Sequence, residues 1–324
     1  MPPLFFDPIK KIPTFTTMIH KHIIKSNQTL RYLERAREGK ISEASRFGVP
    51  EIDDFLRFKK GNFVVVTGHA NVGKTHTMTY LQLLHTLENG TKWLIYSSEN
   101  EVQSLQRKLI EFLAGKPINQ IDEQTFWRHH SFVEGHWAFI DSELIVNAFE
   151  LLDIANEVYD AWEFQGMMID PYNSLTIRKE DLKGISTHDY HYEVTSHLRK
   201  FCKEYGVTTI LNTHPATEAL RKVHKGSHEY ANHTMPPMAS DVEGGGKFVN
   251  RADEFFVIHR YTQHAQDWVY TDIHVRKVKE LESGGRPTPL DAPVRLASTA
   301  GNCGFTINGL NLVTKDRQID ESPF

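Results

Sequence analysis

Short runs of apolar, largely β-branched residues alternate along the chain with longer segments whose apolar positions recur every three or four residues. The first run, Val64-Val65-Val66-Thr67, leads into HTMTYLQLLHTL, a helical stretch that ends at the turn Asn89-Gly90. KWLIYSSEN predicts a second strand. EVQSLQRKLIEFLA (101–114) predicts a helix carrying Val102, Leu105, Leu109, Phe112 and Leu113 on one face. Residues 116–145 predict a short helix at TFWRHH and a strand at HWAFID, and ELIVNAFELLDIANEVYDAWE predicts a long helix. GMMID and VTTILNT predict two more strands, with the helix STHDYHYEVTSHLRKFCKEY between them, Thr187 at its N-cap and Gly206 closing it. Residues 255–258 and WVYTDIHVRKVK complete the strands, and ESGGRP reads as a hairpin turn after the second. Strands alternating with helices in this manner predict an α/β fold.

Outside this alternation lie three other kinds of segment. Residues 15–37 predict one or two helices anchored by Ile19, Ile23, Ile24, Leu30 and Leu33, packed on the same domain or docked on a neighbouring subunit. GVPEIDDFLRFKKGN predicts a short amphipathic helix around Ile52, Phe55 and Leu56 and a turn at Lys60-Gly61-Asn62. Residues 217–243, with Arg221, Lys222, His224, Lys225, Pro236 and Pro237, predict a long polar loop without regular structure. Such loops in compact domains are usually functional.

Composition narrows the class. The 324 residues suffice for one large α/β domain with an appendage. No apolar run reaches the ~18 residues of a membrane span, and MPPLFFDPIKK lacks the apolar core of a signal peptide. Two cysteines, Cys202 and Cys303, rule out a disulfide framework and fit a reducing, cytoplasmic setting. A net charge of −4 argues against a protein that coats nucleic acid, but leaves room for a local basic lining. The histidines are scattered. His188, His191 and Glu193 read as a helix start rather than a metal site, and His129-His130 as a polar helix face.

The chemistry sits in four segments. GHANVGKT, formed by Gly68, His69, Ala70, Asn71, Val72, Gly73, Lys74 and Thr75, is a P-loop between a strand and a helix. Its glycines let backbone N–H groups close on an anion. Lys74 would bridge the β- and γ-phosphates of a nucleotide, and the Thr75 hydroxyl would ligate Mg²⁺. His69 and His76 flank the cradle and could touch phosphate. Glu99 ends the strand WLIYSSEN, where ligands collect in open parallel sheets. Asp170 ends GMMID about 95 residues after the P-loop, the place of a Walker B acid that holds Mg²⁺ with Thr75. His214 ends the strand VTTILNTHP.

Together with PPMASDVEGGGKFVNRADEFFVIHR, these segments resemble the hexameric replicative helicases of the DnaB family, and particularly the helicase half of phage primase-helicases and of the mitochondrial Twinkle helicase. The likeness covers roughly residues 45–300. It implies a RecA-like P-loop fold with a mostly parallel sheet flanked by helices, a ring of identical subunits (a homo-hexamer), ATP and Mg²⁺ as cofactors, and single-stranded DNA as the track, travelled 5′ to 3′. It further implies that Glu99 polarises the attacking water and that His214 senses the γ-phosphate. Arg221, Lys222, Lys225, Gly244, Gly245, Gly246 and Lys247 would grip DNA phosphates, and Arg260 would lie against the base. The family places a Lys-x-Arg pair from a late strand in the neighbour's site. Here VRKVK puts Lys277 and Lys279 there, with Arg276 one residue out of phase and expected on the opposite strand face.

The expected organisation is an arm (1–44), an ATPase/helicase domain (45–315) and an acidic tail (316–324). With no primase or full collar domain, ring formation would rest on residues 15–37 and the subunit faces. The tail IDESPF either docks on a partner such as a primase or polymerase or is a plain disordered end. The lean architecture resembles phage-encoded enzymes, which would work in the host cytoplasm. The other reading is a RecA/KaiC-like DNA-binding ATPase with a recombination or regulatory role and little unwinding.

Overall fold

The computed structural model describes residues 24, 26–40, 44–243, 245–281 and 284–313. Ile19, Ile23, Gly244 and the tail 316–324 lie outside the described residues. The chain divides into two units, Met1–Ser42 and Glu43–Phe324. In the first, α1 (Ser26–Arg37) leaves Leu30, Tyr32 and Leu33 more than half exposed. Arg35 and Arg37 lie in its last turn, where they complement the negative end of the helix.

The second unit runs α2 (Pro50–Asp53), β1 (Phe63–Thr67), α3 (Lys74–Asn89), β2 (Trp93–Ser97), α4 (Val102–Ala114), α5 (Glu123–His136), β3 (Trp137–Phe139), α6 (Ala148–Ala161), β4 (Gly166–Asp170), α7 (Thr187–Tyr205), β5 (Thr208–Thr213), α8 (Lys247–Arg251), β6 (Glu254–His259), β7 (Tyr270–Val278), β8 (Val294–Ser298), β9 (Phe305–Ile307) and β10 (Leu310–Asn311). Among the described residues these strands form one sheet in the order β10-β9-β8-β7-β6-β1-β5-β4-β2-β3. The stretch from β6 to β3 is parallel, and β7 to β10 extend it by antiparallel ladders.

Alternation along each strand divides the core in two. Val64, Val66, Ile95, Met168, Ile210, Phe256 and Ile258 pack with residues of α3, α4 and α5. Phe63, Val65, Leu94, Met167, Leu211, Phe255 and Val257 pack with residues of α6, α7 and α8. Each such side chain contributes about 1.5–3 kcal/mol on burial. The central parallel strands are therefore covered on both sides, and only their ends can meet a ligand.

Several elements depart from the sequence pattern, each through local capping. The helix expected at TFWRHH is the longer α5, because the Asp122 carboxylate accepts the Thr125 N–H at 2.9 Å and starts it earlier. The long helix expected from 143 begins only at Ala148. Asn147 Oδ1 accepts the N–H groups of Phe149 and Glu150, and Glu150 reaches back to the Asn147 N–H, a capping box that fixes the start. Ser186, not Thr187, caps α7. β7 pairs with β8 as the hairpin reading implied, but residues 279–293 join them. Gly284 and Gly285 are packed against Phe55 and Arg57 rather than in a tight turn.

Residues 217–243 also differ from expectation. They form a folded loop, with a 3-10 turn at Thr217–Arg221 and bridges Pro215↔Val242, Val223↔Thr234 and His224↔Ala231. Tyr230 stacks on Tyr261 at 3.8 Å, and His224 stacks on His228 at 3.9 Å. Aromatic and polar contacts hold this segment, so hydrophobic periodicity gives no sign of it.

Candidate nucleotide and nucleic-acid site

β1 stops at Thr67, and residues 68–73 wrap above its carboxyl end. A Cβ on Gly68 would come within 2.2 Å of the Ile258 carbonyl oxygen on β6, so only glycine lets the loop leave the sheet this closely. Asn71 and Gly73 have φ of 63° and 85°, the left-handed conformation that turns successive N–H groups inward. α3 begins directly at Lys74, so its positive end faces the same concavity.

Lys74 is 7% exposed, and its Nζ donates to the carbonyls of Gly68 at 2.9 Å and His69 at 3.2 Å. Burial holds its pKa below the ordinary lysine value, while Asp170 and Glu99 oppose that shift. Thr75 Oγ1 donates to Asp170 Oδ2 at 2.7 Å, and Asn212 Nδ2 donates to Asp170 Oδ1 at 2.7 Å. Ser97 Oγ lies 3.4 Å from the same carboxylate. Burial pushes the Asp170 carboxyl above its usual range in spite of these donors. A buried carboxylate beside two hydroxyl oxygens is a hard, all-oxygen set that fits Mg²⁺. Among the described residues, no group of three or more His, Cys, Asp or Glu side chains could hold a metal.

His214 stands at the end of β5. Its Nε2 lies 3.2 Å from Glu99 Oε1, and its Nδ1 lies 3.4 Å from Lys74 Nζ. An ammonium can only donate, so Nδ1 is the accepting nitrogen and the neutral ring carries its proton on Nε2, toward Glu99. Lys74, Thr75, Glu99, Asp170 and His214, spread over 140 positions, thus converge at the carboxyl ends of β1, β2, β4 and β5.

The other nucleotide candidates are placed differently. His69 turns away from the cradle, with Nε2 3.1 Å from the Met235 carbonyl in the loop after β5. The His76 ring lies edge-on to Phe112 and Phe305, 4.9 and 5.4 Å away, and burial lowers its pKa to about 4. Its setting is apolar packing rather than a phosphate contact. Arg260 donates to the Trp268 carbonyl and lies over that ring. With His69, Ala70, Val72 and Tyr261 it lines a cleft of about 220 Å³ beside the P-loop.

The late strand corrects a second expectation. Phe255 pairs with Lys277 while Phe256 pairs with Val275, so Arg276 is the extra residue of a β-bulge. The bulge resets the alternation. Arg276 contacts His274 Nδ1 at 3.1 Å, and Lys277 donates to the Val249 carbonyl on α8 at 2.7 Å. Arg276 therefore shares the face of Lys277 instead of pointing to the other side. Lys279 Nζ donates to Asp253 Oδ1 at 3.1 Å, a carboxylate that Arg199 also contacts.

The basic candidates do not form one free patch. Arg221 and Lys225 are exposed, and Lys222 is paired with Asp241. Lys247 begins α8 and donates to the His188 carbonyl at 2.9 Å, and Gly245 and Gly246 precede it. Sequence reading missed Ser97, Asn173 and Asn212. Asn212 had a signal, being an amide inside a buried strand, where every polar group needs a partner. Asn173 had none.

No family model matches the chain. A DnaB-like replicative helicase, solved with its interactions with primase, has the same fold with a TM-score of 0.64 at 16% identity, over 87% of this chain and 66% of that one. An ATPase domain solved on its own gives 0.64 and 16%, over 87% of this chain and 98% of that one. A KaiC-like protein of Pyrococcus horikoshii gives 0.53 and 19%, over 82% and 98%. The fold is that of a RecA-like P-loop ATPase. In sequence, a Twinkle homolog protein of Arabidopsis thaliana, chloroplastic/mitochondrial by name, is 23% identical over 254 residues, 73% of this chain. The chain spans about a third of that relative's length, 33%. The resemblance to DnaB-family helicase domains thus stands in fold and sequence alike.

Proposed function

We propose that this chain is the motor domain of an ATP-dependent DNA helicase that works as a ring, probably not alone in its subunit but against a neighbour, on single-stranded DNA. The observation that carries the reading is the contact chain Lys74–His214–Glu99 at the root of the loop that bears Arg221 and Lys225. Lys74 and the P-loop N–H groups hold the β- and γ-phosphates, and Thr75 and Asp170 hold Mg²⁺, which neutralises charge on the transferred phosphoryl group. Glu99 accepts the proton of the attacking water. His214 loses or regains its Lys74 partner as the γ-phosphate comes and goes, and passes that change to the loop behind it. Lys277 and Lys279 face the neighbouring subunit's nucleotide only after leaving their own-chain partners, and of the two Lys279 is the more exposed. Travel is 5′ to 3′, and a primase or polymerase docks on the tail 316–324.

Lys74→Ala should lower single-strand-stimulated ATP hydrolysis by about 10²–10³-fold. A variant that still hydrolyses ATP in response to DNA would sink the reading. Particle symmetry with an ATP analogue and single-stranded DNA tests the ring. The KaiC-like likeness, and lysines where an arginine finger is expected, favour the second reading, a DNA-binding ATPase with little unwinding. Strand displacement on a forked duplex separates the two.

A further inference from the structure

Three hydrogen bonds form a closed circuit at the neck of the loop after β5. The His214 N–H donates to Asn173 Oδ1 at 3.0 Å. The His214 carbonyl accepts the Glu243 N–H at 3.0 Å. Asn173 Nδ2 donates to Glu243 Oε2 at 2.7 Å, which closes the ring. Asn173 lies on the 3-10 turn Tyr172–Ser174, three residues beyond Asp170. Glu243 ends the loop, where Pro215 bridges Val242 and the Ala216 N–H meets the Asp241 carbonyl at 2.6 Å. One amide side chain therefore holds the entrance and the exit of the loop together. Its orientation is unambiguous, because a backbone N–H can only donate and a carboxylate only accept.

We propose that Asn173 and Glu243 act as a clasp that couples the nucleotide site to the basic loop. Closed, the clasp uses both backbone groups of His214 and so positions its imidazole between Lys74 and Glu99. Open, it frees the neck of the loop and that imidazole together. Only an uncharged side chain with a donor and an acceptor can serve both ends at once. Asn173 and Glu243 are exposed, so water can replace each bond and the clasp can cycle, which a buried network could not do. Asn173 is a positioning residue, and it acts through His214. The inference rests on the reading of residues 215–243 as a nucleic-acid loop, and goes beyond it by naming what ties that loop to ATP.

The test exchanges donor and acceptor. Asn173→Asp keeps the acceptor for the His214 N–H but sets a second carboxylate against Glu243. Glu243→Gln removes the charge and supplies a donor. Each single change, and Asn173→Ala, should lower single-strand-stimulated kcat about tenfold, with KM for ATP within about twofold. Each should also speed tryptic cleavage after Arg221, Lys222 and Lys225 in the DNA-free protein. The double variant Asn173→Asp with Glu243→Gln should recover to within about threefold of the parent in both assays. A double variant no better than the worse single, or singles that match the parent in both assays, would overturn the clasp. A parent that shows no response to DNA would remove the helicase reading instead, and the tryptic rates would still decide the clasp.

Discussion

Two loops leave the carboxyl ends of the neighbouring strands β1 and β5, and they are held by opposite means. Residues 68–73 are shaped by backbone: Gly68 fits against the Ile258 carbonyl, Gly73 takes positive φ, and α3 begins at once. Residues 215–243 are shaped by side chains: the Tyr230–Tyr261 stack, His224 Nε2 at 3.0 Å from the Tyr261 hydroxyl, His69 on the Met235 carbonyl, and the Asn173–Glu243 pair. A segment held by separate, partly exposed polar contacts opens at lower free energy than one built into the sheet. The molecule thus has a rigid anion cradle beside a loop made to move, joined where His214 meets Lys74.

The harshest way to break this contrast is to put one methyl group on each side of it. Gly68→Ala forces a Cβ to 2.2 Å from a backbone oxygen that the β1–β6 ladder holds in place. It should cost about 1–3 kcal/mol of stability. Nucleotide binding should weaken by at least about 100-fold, roughly 2.7 kcal/mol, because the cradle itself is displaced. Gly226→Ala meets nothing within 4 Å and should change neither quantity. Calorimetric melting and nucleotide titration of both variants check this. Equal losses would mean that the second loop is as rigidly built as the first.

The same contrast explains what the sequence could reveal. Glycine spacing is itself the geometry of the P-loop, so GHANVGKT exposes its structure directly, as the apolar strands ending in Asp170 and His214 expose theirs. No such economy exists for residues 215–243. Tyr230, His224 and Met235 find partners 31 or more positions away, and nothing local in TEALRKVHKGSHEYANHT announces them. The error at Arg276 has the same root. Strand alternation predicts faces only while the ladder is regular, and one inserted residue reverses the prediction without leaving a mark in VRKVK.

Acid sharpens the contrast further, because histidines surround one loop and not the other. Burial first, then His228 and His233, keeps the His224 pKa below its ordinary value of 6.5, and burial does the same for His69. His259 and His274 are depressed by burial to about 3. A histidine depressed in the closed state favours closure while neutral, so its contribution is complete above about 6.5 and is lost as pH falls below that. Lowering pH from 7 to 5 should therefore reduce hydrogen-exchange protection at His224, Asn232 and Met235, whose N–H groups bond within the loop, after correction for intrinsic rates. The β1 amides should keep theirs. A uniform loss across both regions would mean that global unfolding, not loop opening, takes up the protons.

The smallest expected effects separate the basic residues of the mobile loop from one another. Arg221 and Lys225 are exposed, so Arg221→Ala and Lys225→Ala should leave stability within about 0.5 kcal/mol. Each should reduce the salt slope of single-stranded DNA binding by about 1, the signature of one lost phosphate contact. Lys222 is different, because its partner Asp241 is 7% exposed and also caps the Met238 N–H at 2.9 Å. Lys222→Ala leaves that carboxylate without its cation, so it should loosen the neck of the loop, seen as faster exchange at Ala216, whose N–H bonds to the Asp241 carbonyl. Its effect on DNA binding should then appear mainly as a loss of affinity at all salt concentrations rather than as a change of slope. If all three variants shift the slope alike, Lys222 exchanges Asp241 for a phosphate when DNA arrives, and the ion pair is a resting place for a gripping residue.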